Sequence, residues 1–577
     1  MPDVAEQTLP KNLRWFEASS IGALLSQPLS EQLSTTLRAF IQEQRWFRGK
    51  ARGEYDLQVL DVLPLSAAAL QREIPGHTTL ELALVFVRVA YRKGDLREVY
   101  VLPLGRCAAS VQHGGKRTLF GLRSPTKPAD TVVFDPSGTA ELSESLLHLY
   151  RERELQSAQG SLEIRPYPTL TARLAPDTEP LTAHAPSGDQ SNTTLFFGQE
   201  LMLKVFRQLE DGMNPDVEIC RFLWDHGYRH APEPLGDIQY QGREFSSTLS
   251  AVQRFIPSQG TAWEVVTQAL RRALTLALQR SRSSAPELPR GDLLASSTEP
   301  LPDSIAELIG SLAPLVRTLA QRTAELHLCL ASDTQDPAFS PEPFNIRYLR
   351  SVVEKARGRL TEVFTLLRTQ LPVLPVEHRP RAEQALGLHD QLERQLDSLP
   401  DMRVQADRIR FHGDYHLGQV LYTAAANDFV LIDFEGEPAQ PLAARRLKHS
   451  ALYDVCGMLR SFHYAATVAT AEVHAEHRPE DHGTLALWSD AFYRWSSAQF
   501  LGAYLARARK EPGKAVFLPE DPEQLRALLQ LHMLDKCAYE LGYELNNRPD
   551  WVLVPLAGLL SLAEQNNPQA QQPGSTR

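Results

Sequence analysis

A chain of 577 residues is long enough for two or three domains and a large core, and its 43% hydrophobic and 23% charged residues are those of an ordinary soluble protein. No apolar run approaches the ~20 residues that a bilayer span needs, and a net charge of −10 with no long basic stripe leaves no electrostatic footprint for nucleic acid. The N-terminal MPDVAEQTLPKNLRW lacks the basic and apolar regions of a signal peptide, and the cysteines Cys107, Cys220, Cys329, Cys456 and Cys537 are scattered without a CxxC spacing, so a cytoplasmic, reduced setting is expected.

In chain order, a helix is predicted over 31–43 and is followed by Arg45-Trp46-Phe47-Arg48-Gly49-Lys50, where Trp46 and Phe47 read as a core anchor flanked by snorkelling cations. Segments 56–63, 79–91 and 98–103 read as antiparallel strands and helical character returns near 141–153, so 30–155 is expected to form a small α+β subdomain. Ser191-Asn192-Thr193-Thr194 then leads into two strands, 195–197 and 201–206, joined by a tight turn, with Lys204 in the second. A small polar loop ahead of such a pair suits the phosphates of ATP. With no GxGxxG present, Ser191, Asn192 and Thr193 would cover them with hydroxyls and backbone N–H groups, and Lys204 would reach the α- and β-phosphates. Such a lysine needs a carboxylate to hold it. Glu218 supplies one, on a helix with Asn214 as N-cap and Pro215 as first residue. Taken singly, a strand-edge lysine and a solvated glutamate are the commoner readings; their joint occurrence favours function. The strand 248–256, broken after Pro257, makes Gln253 to Phe255 the expected adenine hinge and closes an ATP-binding lobe of 156–257. From 258 to 564 the chain reads as helical, with the Ser/Pro-rich 281–303 expected as a flexible insertion and 565–577 as a disordered tail.

The stretch 408–438, RIRFHGDYHLGQVLYTAAANDFVLIDFEGEP, carries the chemistry. Its short apolar segments read as strands, which places Asp414 and Gln419 on a loop and Asp433 just past a buried strand. Phosphoryl transfer from ATP needs a carboxylate to orient and deprotonate the attacking hydroxyl, and a carboxamide with a second carboxylate to hold Mg²⁺. Asp414 precedes Gln419 by five positions, as the base precedes the metal-binding Asn in the protein-kinase catalytic loop, and Asp433-Phe434 follows one hairpin later. Two other readings stand beside this one. His412, Asp414 and His416 form an HxDxH cluster able to ligate a transition metal, although no second cluster completes a zinc set. The bland alternative is a surface turn, which leaves Asp433 after an apolar strand without a reason.

Together, Asp414, Gln419, Asp433, Lys204 and Glu218 resemble the aminoglycoside-phosphotransferase-like branch of the protein-kinase fold. Within it HGDYHLGQ, DFEGEP, DVCGMLRSF, SNTTLFFG, NPDVE, RWFRGK and DKCAYELGYELNNRPDW resemble bacterial maltokinases over about 45–555. The resemblance implies a bilobal α+β fold with an N-terminal cap, and ATP- and Mg²⁺-dependent transfer to O1 of maltose, giving maltose 1-phosphate for α-glucan synthesis. Glucosamine or an aminoglycoside are related alternative acceptors, and a kinase-fold binding protein without catalysis is the rival from another class. Gln419 in place of Asn and Glu435 in place of Gly agree with the maltokinase pattern. Some members of that family are fused to trehalose synthase; this chain has no room for that partner, and association with a separate one is the expectation. His412, His416 and Glu435 are the acceptor residues expected from the central stretch. On the helix 535–547, Lys536, Tyr539, Glu540, Tyr543 and Asn547 fall along one face able to bond and stack on a disaccharide. A solvated helix with a Lys536–Glu540 surface pair is the competing reading.

Overall fold

The structure is a computed structural model, and it describes residues 13–50, 52–65, 81–110, 117–125, 130–152, 154–175, 178–179, 181–184, 192–280, 285–310, 312–397, 399–478 and 481–565. Two compact units divide the chain: Met1–Arg221 with Pro232–Pro257, and Phe222–Ala231 with Ser258–Arg577.

In the first unit the described residues form two seven-stranded sheets. One runs in the order Trp15–Glu17, Thr118–Arg123, Thr131–Phe134, Arg97–Ala108, Glu81–Tyr91, Tyr55–Leu65, with Gln208–Leu209 added beside Arg97–Ala108. The long central strands are rich in Val, Leu, Phe and Tyr because both faces are covered: Leu84 and Phe86 join the core of the second sheet, while Val85 and Val87 pack with Leu37, Phe40 and Ile41 of the helix Glu31–Glu43. That helix begins where Ser30 accepts a hydrogen bond from the Leu33 N–H, as an N-cap serine should. Trp46 and Phe47 are buried in this second core, as the sequence indicates. The sheet also takes in Trp15–Glu17, which pairs parallel to Thr118–Arg123, so the cap starts earlier than residue 30.

The other sheet runs Glu154–Gln156, Gly160–Pro166, Pro234–Gly242, Ser246–Arg254, Leu201–Val205, Thr193–Phe197, Ala183–His184. One apolar cluster crosses the boundary drawn at 155/156 in the sequence: Phe86 of the cap stacks on Tyr240 with ring centroids 4.2 Å apart. Buried Arg207 ties the two sheets further, donating to Thr193 Oγ1 at 2.7 Å, Ser137 Oγ at 2.6 Å and the Val101 carbonyl at 3.2 Å. The two sheets therefore share one core within a single compact unit, because neither buries its inner face alone.

The second unit is helical around the hairpin Val420–Thr423 and Asp428–Leu431. Its main helices are Ala262–Arg280, Leu312–Leu330, Ile346–Gln370, Leu452–Glu476, His482–Ala508, Pro522–Asn547 and Leu553–Gln565. The insertion expected to be flexible is anchored over its described part, 285–303. Asp292 caps the short helix Leu293–Ser296 and pairs with Arg526, and Trp495 Nε1 donates to the Glu287 carbonyl at 2.9 Å. Ser296 Oγ adds a 3.0 Å bond to the Arg290 carbonyl, a local contact that composition alone does not show. Residues 281–284, 566–577 and Ser191 lie outside the described residues. Among the described residues no helix is long and apolar enough to cross a membrane.

Candidate active site

The loop after Ile409 turns sharply at Gly413, whose φ is +85° and whose Cα-side approach to Gly436 would leave an added Cβ 3.1 Å from the Gly436 Cα. Two backbone N–H groups of this turn point at one carboxylate: His412 N–H donates to Asp454 Oδ2 at 2.7 Å and Gly413 N–H to Oδ1 at 3.0 Å. Asp454 sits fully buried at the start of Leu452–Glu476, and also accepts from His327 Nε2 at 3.2 Å. His327 Nδ1 lies 2.8 Å from the Tyr504 hydroxyl, so both ring nitrogens are engaged. Burial works against the charge on Asp454, but the His327 and Gly413 bonds prevail and hold its carboxyl below the usual carboxylate range.

Asp414 follows on this braced turn, half-buried, with no hydrogen bond to its carboxylate among the described residues. Tyr415 is buried and shares a 2.8 Å hydroxyl bond with Thr323. His412 was expected to meet substrate. The structure instead buries it, its Nε2–H donating to the Ile432 carbonyl at 2.9 Å and its Nδ1 accepting from the Asp414 N–H at 3.4 Å, so it sets the loop's shape from inside. His416 accepts from the Gly418 N–H at 3.1 Å and caps the short turn Leu417–Gln419; burial is the main reason its ring stays neutral more readily than a free histidine. Gln419 Nε2 donates to Asp433 Oδ2 at 2.9 Å. Asp433 has φ +66°, a left-handed conformation that aspartate tolerates better than most residues and that stores ~1–3 kcal/mol of strain at functional positions. Phe434 beside it is buried against the His412 ring, with centroids 4.9 Å apart.

The donor set suits Mg²⁺, a hard cation that takes one or two carboxylates and completes its shell with water and phosphate oxygens. Asp433 brings the carboxylate and Gln419 the amide oxygen, and the two side chains already touch. Among the described residues no group of three or more His, Cys, Asp and Glu side chains is arranged to hold a metal, and both ring nitrogens of His412 are engaged within the loop.

Lys536, Tyr539 and Glu540 lie on Pro522–Asn547, but do not share one environment. Lys536 is 9% exposed and places Nζ 4.1 Å from the Tyr453 ring centroid. Burial opposes its charge, yet Tyr453, Asp414, Glu437 and Glu540 outweigh that and hold it firmly protonated. Tyr539 is half-buried with the Arg359 guanidinium 5.2 Å from its ring centroid, and Arg359 in turn pairs with Asp535 at 2.9 Å. Glu540 bonds to buried Arg460, at 2.8 Å from Nε and 2.7 Å from Nη2, so neither the surface pair with Lys536 nor a free acceptor contact describes it. Tyr543 is 47% exposed beside Arg548, two turns along. The face read from the spacing thus runs from interior to surface along the helix. Glu435 lies half-buried and gives its backbone carbonyl to Arg445 at 3.0 Å.

In the first unit, Lys204 Nζ lies 3.4 Å from Asp216 Oδ2. Asp216 is buried in the first turn of Pro215–Asp225, two positions before Glu218, and its N–H donates to the Asn214 side chain at 2.9 Å. Sequence reasoning missed it; the signal was a second carboxylate directly behind Pro215. Asn192 precedes the strand Thr193–Phe197, and the Thr193 hydroxyl is taken up by Arg207. Gln253 is buried, its amide 3.6 Å from Cys220 Sγ, while the Phe255 N–H donates to the Glu200 carbonyl at 2.8 Å and its ring packs edge-on to Phe196. The Arg254 N–H likewise donates to the Glu233 carbonyl at 2.9 Å, so the backbone donors of 254 and 255 are already engaged.

No family model matches the chain. It is similar to the glucosamine kinase of Mycolicibacterium smegmatis, 26% identical over 425 residues that span 74% of this chain and 88% of the relative. It is also similar to the glucosamine kinase of Streptacidiphilus jiangxiensis, 23% identical over 379 residues, 65% of this chain and 72% of the relative. Among solved structures, a glucosamine kinase in complex with glucosamine, ADP and inorganic phosphate superposes with a TM-score of 0.53 at 18% identity, covering 86% of this chain and 97% of that one. A glucosamine kinase in crystal form A gives 0.54 at 18%, covering 88% and 92%. These likenesses, with the two units described above, give the chain a bilobal, kinase-like α+β fold with an N-terminal cap.

Proposed function

We propose that the chain is an ATP-dependent sugar kinase in which Asp414 orients and deprotonates the acceptor hydroxyl. The observation that carries this reading is the pairing, on one loop and hairpin, of an unbonded carboxylate on a rigidly braced turn with a touching carboxamide and carboxylate five and nineteen positions on. Asp433 and Gln419 would hold Mg²⁺. When bound, that ion offsets charge on the phosphates. Lys204, kept in place by Asp216 and Glu218, neutralises the α- and β-phosphates, and Asn192 and Ser191 cover them. Lys536 and Tyr539 bind the acceptor beside the base.

The acceptor is maltose, phosphorylated at O1, and its product feeds α-glucan synthesis, with trehalose synthase as the partner enzyme. The resemblance of its motifs to those of maltokinases supports this. So does the fixed cation at Lys536, which a neutral sugar tolerates next to Asp414 and an ammonium group does not. Glucosamine is the second reading, favoured by the names of the relatives and by Glu437, whose carboxylate lies near Lys536 and Tyr539 and would suit an amine. Product analysis after incubation with ATP and Mg²⁺ and either sugar separates the two. Maltose 1-phosphate is expected; glucosamine phosphate alone would move the assignment to the second reading, and no transfer to any sugar would refute the kinase.

A further inference from the structure

A cavity of about 890 Å³ opens in the helical unit, and none of residues 408–438 lines it. Its walls come from Leu452–Glu476, His482–Ala508, Pro522–Asn547, Leu553–Gln565 and the turn at Asp292. The volume is that of a small-molecule site.

The chemistry of the lining narrows the ligand. Three of its four arginines are already neutralised: Arg494 pairs with Asp490 at 2.9 Å, Arg526 with Asp292, and Arg460 with Glu540 at 2.7 Å, while the fourth, Arg381, is solvent-exposed. An anion therefore finds little unpaired charge in the buried part of the cavity. Neutral polar groups remain. Arg460 Nη1–H donates to His463 Nδ1 at 2.8 Å, which leaves His463 Nε2 as an N–H donor. The His463 ring stacks on Tyr493, centroids 4.5 Å apart and planes within 20°, and burial keeps the Tyr493 hydroxyl protonated, its pKa pushed up to about 12. Ser497 lines the same cavity, is 3% exposed, and has no hydrogen-bond partner for its hydroxyl among the described residues. A wholly apolar ligand would leave that buried hydroxyl unsatisfied.

Aromatic faces combined with uncharged donors and acceptors are what a sugar ring needs, since its C–H face stacks while its hydroxyls both give and take hydrogen bonds. We propose that this cavity is a second ligand site, separate from the acceptor helix face at Lys536 and Tyr539, and that it binds a neutral polyhydroxylated molecule of mono- or disaccharide size.

The test is calorimetric titration of the full chain with glucose and with maltose, without nucleotide, so that it does not depend on catalysis. Lys536→Ala, and independently Tyr539→Ala, disable the proposed acceptor face; Ala486→Trp fills the cavity from an exposed lining position that the core does not use. Saccharide binding at millimolar concentration is expected to persist in either acceptor-face variant, to vanish when Ala486→Trp is added, and to weaken about tenfold with Tyr493→Ala. Loss of all binding in both acceptor-face variants, or binding in them that Ala486→Trp leaves unchanged, would overturn the proposal.

Discussion

Replacing Asp454 by alanine removes the one acceptor for the His412 and Gly413 N–H groups, at 2.7 and 3.0 Å, and the partner of His327 at 3.2 Å. Each buried donor left unsatisfied costs ~1–3 kcal/mol, so two backbone donors give a loss of ~2–6 kcal/mol before any relaxation. Asp454→Asn keeps one acceptor oxygen and is expected to lose about half as much. The native carboxyl is held below its ordinary pKa, so its stabilising contribution is present above about pH 4 and fades as the pH falls through the lowered native value. The asparagine variant has no such acid-side fade. Catalysis should suffer with stability, because a turn displaced by even an ångström misplaces Asp414 and costs ~10²-fold in rate. Chemical denaturation at pH 7 and pH 3, alongside kcat for the sugar substrate at pH 7, reads both effects. A change in unfolding free energy within ~0.5 kcal/mol together with an intact kcat would refute the brace.

Asp414→Asn is expected to lower kcat by ~10²–10⁴ while nucleotide affinity, measured by fluorescence titration, stays nearly unchanged, since shape is kept and only the proton acceptor is lost. Lys204→Ala should raise the KM for ATP and lower kcat together, and Asp216→Ala should do the same, more than Glu218→Ala if the 3.4 Å contact is the main tether; equal nucleotide kinetics in Asp216→Ala and the parent would remove it from that role. Lys536→Ala and Tyr539→Ala should each raise the KM for the acceptor with little change in that for ATP, by roughly five- to a hundredfold in kcat/KM, and acceptor kinetics like the parent's in both would return the helix to a structural role.

Much of the fold was legible because its signals are local. The N-cap serine and apolar spacing mark Glu31–Glu43 to the residue, and the alternation of short apolar runs with turn formers marks the hairpin that carries Asp433. What the sequence could not convey is which side chains are already engaged. His412 and Asp414 are two positions apart in an exposed-looking turn, yet one is buried with both nitrogens bonded and the other carries an unbonded carboxylate, because Asp454, forty residues later, pulls the backbone between them inward. Glu540 fits an acceptor face by spacing alone; the Arg460 that occupies it lies eighty positions away. The apolar cluster that spans 155/156 was hidden for the same reason, as a shared core is a long-range property and strand patterns are not.

The helix Leu452–Glu476 fixes both halves of the proposed chemistry. Asp454 and Ser461 bind the base loop at two points, the second through a 3.1 Å bond from the Leu417 N–H. Between them Gly457 lets the loop lie against the helix: a Cβ there would stand 2.5 Å from the Tyr415 carbonyl oxygen. These three residues fall at i, i+3 and i+7, one face of the helix. Arg460, on the adjoining face, holds Glu540 and with it the helix that bears Lys536 and Tyr539. The spacing between base and acceptor helix is thus carried by a rigid element, as a catalytic constellation held to within ~0.5 Å requires. Side chains on Pro522–Asn547 can then change with the acceptor while the base stays where Leu452–Glu476 holds it. Under the proposed function, that separation allows one fold to serve a neutral disaccharide in one protein and an amino sugar in another.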